Sequence, residues 1–396
     1  MSADPAAAPA GLGAVEVRDF YQEGLTGLRA LAATWVMLFH IIGFAGPRAI
    51  LLDVGPVQLK IHPLLTCGWV GVDLFFVLSG FLLTTHLMQS MANPAPGLHR
   101  RYFLARIRRV LPAYWAQLAI LVLVAVVVAG SLPSWIGYVP LHVPMLHFVS
   151  EKASWAINGV YWTLPIEFGF YLCLPFIVRL LARAERRPGA SRWVTLAIVY
   201  AAALALTWSY RYLAYHAFAG ADSNTIVWAV SQLPGSFDVF MAGVVAAAWM
   251  RWRRAAGVTG TARQSTILAI AGLAGVLVMI YYADRIYLTF WHGHPALFVW
   301  HSINSAFAAL LVAGIAMGGG LTRFVFENRL AVWLGTISYS TYLWHYPILQ
   351  WLKPHLDKAS AGLGIYLAAT ITLTTLAAAA SYYGIERPFL RRRRTT

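Results

Sequence analysis

Two ionisable residues, Arg29 and His40, interrupt the apolar stretch LTGLRALAATWVMLFHIIGF at 25–44. On a helix, eleven steps of about 100° bring them to within about 20° of each other and about 16 Å apart along the axis. They share one stripe at two depths. An ionisable side chain inside such a stretch costs several kcal/mol unless it faces a protein interior or a wet cavity, so it is a candidate for chemistry. Three other stretches add to the set. Asp73 stands near the start of GWVGVDLFFVLSGFLL (68–83), followed by Ser79 and Gly80, small residues that permit close helix packing. Glu167 lies about two turns into NGVYWTLPIEFGFYL (158–172), with Tyr171 one turn further along the same face. SYSTYLWHYPI (338–348) carries Ser338, Tyr339 and His345 and so has a polar face. A histidine beside a carboxylate can take a proton from a hydroxyl, the carboxylate fixing the tautomer and stabilising the imidazolium. Counted from the chain turns, His40, Asp73, Glu167 and His345 fall at similar depth, which makes them a candidate acid–base layer.

The elements that must position these groups span a membrane. The chain has 396 residues, 59% hydrophobic and 11% charged, a balance foreign to soluble globular proteins. About ten apolar runs are long enough to cross a bilayer, near 25–45, 69–90, 110–130, 160–182, 193–212, 226–250, 264–284, 297–319, 329–352 and 361–385. The fold class expected is all-α integral membrane with about ten transmembrane helices. One membrane domain (25–390) is expected between a disordered tail (1–24) and a basic tail (391–396). The first 24 residues lack the pattern of a cleavable signal. Basic residues (30 Lys and Arg against 15 Asp and Glu) gather on one side of the spans, so both termini are expected in the cytoplasm. That asymmetry accounts for the positive charge without any nucleic acid.

Other features leave choices open. HRRYFLARIRRVLPAYW (99–115) sets Arg106 and Arg109 on one helical face, either as a topogenic cluster or as a phosphate site. Pro165 and Pro175 predict a bent or interrupted fourth span. The loop at 46–65, with three prolines, is expected to be irregular. Asp238 is a secondary candidate within the sixth span. The stretch DRIYLTFWHGHPALFVWH (284–301) reads as an interfacial aromatic belt or as a wall of a substrate site. Cys67 and Cys173 make neither a disulfide framework nor a zinc site, and no metal site is expected.

Arg29-x10-His40, GWVGVDLFFVLSGFLL, RIRRVLPAYW (106–115), YWTLPIEFGFYL (161–172), SYSTYLWHYPI and IERPF (385–389) together resemble the membrane-bound acyltransferase-3 family, in order and over nearly the whole chain. The resemblance implies transfer of an acyl group, most often acetyl, from cytoplasmic acyl-CoA (acetyl-CoA) as co-substrate, with no tightly bound cofactor. The implied acceptor is a hydroxyl of a carbohydrate or glycolipid, as in lipopolysaccharide or another cell-surface polysaccharide; another branch modifies glycosylated metabolites such as macrolides. It implies a multi-pass protein of the cell (inner) membrane, of the stand-alone type without an appended hydrolase-like domain; homo-oligomerisation is left open. His40 resembles the catalytic histidine, Arg29 its partner at the CoA end, and Arg106 and Arg109 the basic donor-side pair; Ser79 joins them as a candidate acyl-CoA contact. Glu167 resembles the family's fourth-helix carboxylate.

The mechanism expected is direct: His40, oriented by Glu167 or Asp73, takes the acceptor proton, and His345 or Tyr339 donates to the oxyanion, with Ser338 and Tyr171 as further substrate contacts. No GxSxG elbow supplies a serine nucleophile, and no P-loop or GxGxxG precedes a helix. From a different class, a proton-coupled transporter or flippase could use the same buried charges as a relay.

Overall fold

The computed structural model describes residues 23–46, 51–54, 57–92, 96–186, 190–258, 260–358 and 362–391. The expected tails lie almost wholly outside these. α1 (Glu23–Ala45) leads through a hairpin, β1 (Leu51–Val54) and β2 (Val57–Lys60), and a short α2 (His62–Thr66) into α3 (Val70–Ala92). The connection expected to be irregular thus carries an antiparallel pair, Leu51 opposite Lys60. The long α4 (Leu98–Ala129) is followed by the short α5 (Val139–His142) and α6 (Glu151–Ala156). Then come α7 (Thr163–Glu185), α8 (Ser191–Ala217), α9 (Ser223–Val230), α10 (Leu233–Ala255), α11 (Ala262–Arg285), α12 (Tyr287–Phe290) and α13 (Ala296–Met317). The chain ends with α14 (Gly320–Phe326), α15 (Arg329–Thr336), α16 (Ser338–Lys358), α17 (Leu363–Ser381), a π-turn at Tyr382–Glu386 and α18 (Arg387–Arg391).

Among the described residues, nine helices are long and apolar enough to cross a membrane. The ninth expected run is divided at Ile337 into α15 and α16. α16, at 21 residues, has the length to span, but its serines, tyrosines, histidines and lysines make it too polar to be counted with the nine. It is tolerable in a bilayer because neighbours cover it: Ser338, Ser340 and His345 are fully buried. The outward side chains of α4, α7 and α8, by contrast, are apolar, with Val127, Val128, Phe176 and Leu213 each more than 60% exposed. Apolar outside and polar inside is the arrangement lipid demands. This is an all-α, multi-pass membrane protein.

Close helix contact sets the frame of the site. α3 crosses α10 where Gly80 faces Phe240 and Gly243 faces Val77; a Cβ on either glycine would stand about 2.1 or 2.0 Å from the facing carbonyl oxygen. Only glycine allows that approach, which is the packing role expected of small residues here. α7 runs unbroken from Thr163 to Glu185, so the expected interruption does not occur. Pro165 sits in the first turn, where an N–H has no helical partner to lose, and Pro175 is buried inside the helix.

Between α4 and α7, residues 131–162 fold back over the opposite end of the bundle from the basic cluster. The rings of His142 and His147 stack there at 4.1 Å, 7° from parallel. His142 Nε2–H donates to Ala153 O (2.9 Å) and His147 Nε2–H to Tyr161 O (3.1 Å). Burial pushes His142 down to about 4; burial and the neighbouring His142 push His147 down to about 3.

Candidate active site

α1 brings His40 to the inner edge of a cavity of about 300 Å³ at this end of the bundle. The half-buried ring is held edge-on by Phe39 (4.9 Å) and Tyr346 (5.1 Å). Its Nδ1 lies 2.9 Å from Val36 O and 3.2 Å from His345 Nε2. His345 Nδ1 in turn lies 3.2 Å from Thr341 O. A carbonyl oxygen only accepts, so Thr341 requires the proton on His345 Nδ1 and leaves its Nε2 as an acceptor. His40 therefore carries its proton on Nδ1, shared between Val36 O and His345. Its Nε2 is then the unprotonated nitrogen, without a hydrogen-bond partner among the described residues.

That arrangement corrects the expected orientation of His40. Neither carboxylate reaches it: a second imidazole and a backbone carbonyl fix the tautomer instead. Asp73 accepts from His301 Nδ1 (3.0 and 3.1 Å) and from Asn304 Nδ2 (3.0 Å). Glu167 accepts from Ser79 Oγ at 2.6 Å and belongs to a deeper group with Arg29. The four-residue layer thus resolves into His40, His345 and Asp73 toward one end and Glu167 below. Tyr339 is also removed from His345: its hydroxyl donates to Val110 O (2.9 Å), and it lines the inner cavity. His345 Nε2, as an acceptor, cannot donate to an oxyanion in this tautomer.

At the basic end lies a larger cavity of about 940 Å³, lined by Arg29, Arg100, Arg101, Arg106, Arg108 and Arg109 together with Ser79, Glu167, Tyr171 and Tyr339. Arg29 donates to Ser338 Oγ (3.3 Å) and lies over the Phe75 ring (5.8 Å). The expected pair of Arg106 and Arg109 is not equivalent. Arg109 is bound to the buried Glu386 (2.7 Å), which the π-turn carries inward and which also accepts from Ser340. Arg106 Nε is buried without an acceptor, a free donor facing a concentration of positive charge. Such a cavity suits an anion with several phosphate oxygens.

A neck of about 50 Å³ lies between the two cavities and shares lining residues with each. Arg29, Ser79, Glu167 and Tyr339 line both the neck and the basic cavity; Val72, Phe76 and Tyr342 line both the neck and the His40 cavity. The His40 cavity has aromatic walls from Trp69, Trp155, Trp162, Tyr287 and Trp291, so part of the stretch 284–301 lines it. Arg211, close to the end of the fifth expected span (193–212), is buried in an ion pair with Asp238 (3.0 Å) and also donates to Gly235 O and Phe298 O. This pair ties α8, α10 and α13 together, and Asp238 has no remaining freedom for chemistry.

His301 was missed by the sequence argument, which treated 284–301 as a block of aromatics. The available signal was depth: His301 and Asp73 each lie about a turn inside the same end of their helices.

A family model described as an acyltransferase domain matches residues 22–382. The chain is 26% identical over 382 residues to the YrhL protein of Bacillus subtilis, covering 93% of this chain and 55% of that one. It is 24% identical over 384 residues to the peptidoglycan O-acetyltransferase OatA of Listeria monocytogenes (93% and 56%). Over 387 residues it is 24% identical to the O-acetyltransferase OatA of Staphylococcus aureus (93% and 57%). The chain thus spans about half the length of the curated relatives it matches. No solved structure matches it.

Proposed function

Since the chain belongs to the acyltransferase family whose model covers residues 22–382, we propose that it transfers an acetyl group from acetyl-CoA to a hydroxyl of a cell-envelope carbohydrate. One observation carries this reading: a basic cavity and an aromatic, histidine-lined cavity at opposite ends of the bundle flank a narrow neck that shares lining residues with both. A donor with phosphates on one side and an acceptor with hydroxyls on the other require that geometry. The positive-inside rule makes the basic cavity cytoplasmic, where acyl-CoA is found, and the His40 cavity external. The membrane is then the inner, or cell, membrane.

In this reading the phosphates of acetyl-CoA lie against Arg106 and the neighbouring arginines, with Arg29 deeper. The pantetheine arm passes Ser79, Glu167 and Tyr171 into the neck. Arg29 and His40 are about 16 Å apart along α1, a length an extended pantetheine arm covers. The acceptor oxygen bonds to the thioester carbonyl carbon while its proton passes to His40 Nε2. The C–S bond breaks, and the thiolate recovers that proton from His40 as free thiol. The ester leaves from the outer cavity. The neck's small volume, bounded by Val72, Phe75, Phe76 and Leu164, favours a short acyl group. The relatives named as O-acetyltransferases agree with acetyl, and the peptidoglycan enzyme among them supports a cell-wall polysaccharide as acceptor.

The test is label transfer in membranes supplied with labelled acetyl-CoA, with mass spectrometry of the carbohydrate fraction. Wild type should add one acetyl unit to a sugar, and His40→Ala should abolish this at unchanged membrane yield. Absence of any thiol release by well-inserted wild type would refute transfer and favour transport.

A further inference from the structure

The transfer just described uses His40 and leaves a second imidazole in the same cavity without a task. His301, on α13, has Nδ1 within 3.0 and 3.1 Å of the two Asp73 oxygens. A carboxylate only accepts here, so Nδ1 carries the proton and Nε2 is the ring's remaining polar atom. Asn304, fully buried one turn along α13, donates to Asp73 Oδ2 at 3.0 Å, the same oxygen that lies 3.0 Å from His301 Nδ1, and so helps to fix the carboxylate. The ring packs against Trp69 (5.1 Å) and Trp300 (5.1 Å), whose own rings meet at 4.7 Å. Rotation is blocked by packing and by two hydrogen bonds, yet Nε2 has no hydrogen-bond partner among the described residues, and the residue lines the outer cavity.

A buried carboxylate, 5% exposed and without a Lys or Arg ion pair among the described residues, is costly to maintain for packing alone. Its effect is to hold one imidazole nitrogen toward the cavity that also contains His40. Aromatic walls suit the C–H face of a sugar ring, and fixed nitrogens suit its hydroxyls.

We propose that the Asp73–His301 pair is the acceptor clamp of the outer cavity: His301 Nε2 hydrogen-bonds a second hydroxyl of the acceptor while the reacting hydroxyl meets His40, so the site selects a polyol over a simple alcohol. This rests on the transferase reading above. His301 touches the acceptor; Asp73 is a positioning residue that acts through the ring. The clamp keeps the polyol, and not water, opposite the thioester, so its loss uncouples thioester cleavage from ester formation.

The experiment uses membrane vesicles containing the full chain and its native acceptor, supplied with labelled acetyl-CoA. Free CoA thiol and alkali-labile acetate in the carbohydrate fraction are measured together. Wild type should give a ratio of thiol to ester near one. In His301→Ala, ester should fall about 10-fold further than thiol release, the loss of one fixed hydrogen bond to substrate. His301→Gln, whose amide can still meet a hydroxyl, should recover part of the coupling, and Asp73→Asn should lie between. A parallel fall of both products in His301→Gln and Asp73→Asn would overturn the clamp and make the pair part of the proton chemistry. Unchanged coupling in all three variants would overturn it also. Wild type without thiol release would remove the transferase reading itself.

Discussion

His345→Phe tests the most specific claim made about His40, that another imidazole and not a carboxylate sets its tautomer. The substitution keeps a ring of similar size against Tyr342 and Tyr346 and removes the nitrogen that accepts from His40 Nδ1–H at 3.2 Å. Val36 O, at 2.9 Å, still accepts, so the tautomer is weakened and not reversed. In the resting state the loss is one neutral hydrogen bond, about 0.5–1.5 kcal/mol. As His40 takes the acceptor proton the same bond becomes charge-assisted, worth about 1.5–3 kcal/mol. The turnover rate senses the difference, about 1–1.5 kcal/mol, and should therefore fall about 5- to 10-fold at 1.36 kcal/mol per decade. KM for acetyl-CoA should stay the same, because the basic cavity lies on the far side of the neck. The assay is thiol release in inverted vesicles over a range of acetyl-CoA concentrations, with His40→Ala alongside; removing a general base outright costs about 10²- to 10⁴-fold. A His345→Phe enzyme within twofold of wild type, or one as inactive as His40→Ala, would refute the reasoning.

Three further expectations concern other parts of the molecule. Glu167→Gln should alter acetyl-CoA KM and leave the pH dependence of turnover in place, because Glu167 bonds Ser79 in the neck and does not touch His40; a shifted pH profile in steady-state assays would contradict this. Arg106→Ala should weaken acetyl-CoA binding by about 10-fold or more and make it less sensitive to salt, measured as retention of labelled donor, because its buried Nε has no protein acceptor to lose. Acidification should open the segment at 131–162. His142 and His147 stay neutral in the fold down to about 4 and about 3, whereas the opened segment takes up protons below 6.5. Stability is thus complete above 6.5 and is lost as pH falls below it, by about 2 kcal/mol per histidine at pH 5. Hydrogen exchange of this segment should accelerate between pH 7 and pH 5, and His142→Phe should reduce that acceleration.

The helical membrane fold was determined by composition and by the length of apolar runs, because a backbone in lipid has few ways to satisfy its hydrogen bonds. The shared stripe of Arg29 and His40 followed from helical periodicity, and both residues line the path across the protein. What the sequence could not decide was which groups meet. Depth counted from the end of an apolar run assumes that the run begins at the membrane surface. For Glu167 this failed: the residues before α7, including Asn158 and Tyr161, are themselves fully buried within the folded-back segment, so α7 starts deep and Glu167 meets Ser79. Asp73 and His40 did fall toward the same end, yet rotation of α3 against α13 turned Asp73 to His301. Arg211, next to the end of the fifth apolar run (193–212), was drawn inward to Asp238. Periodicity fixes a residue's height and face on its own helix; its partner depends on how neighbouring helices are rotated and shifted, and that is set by contacts such as Gly80 against Phe240, distant in sequence and made only by the packed bundle.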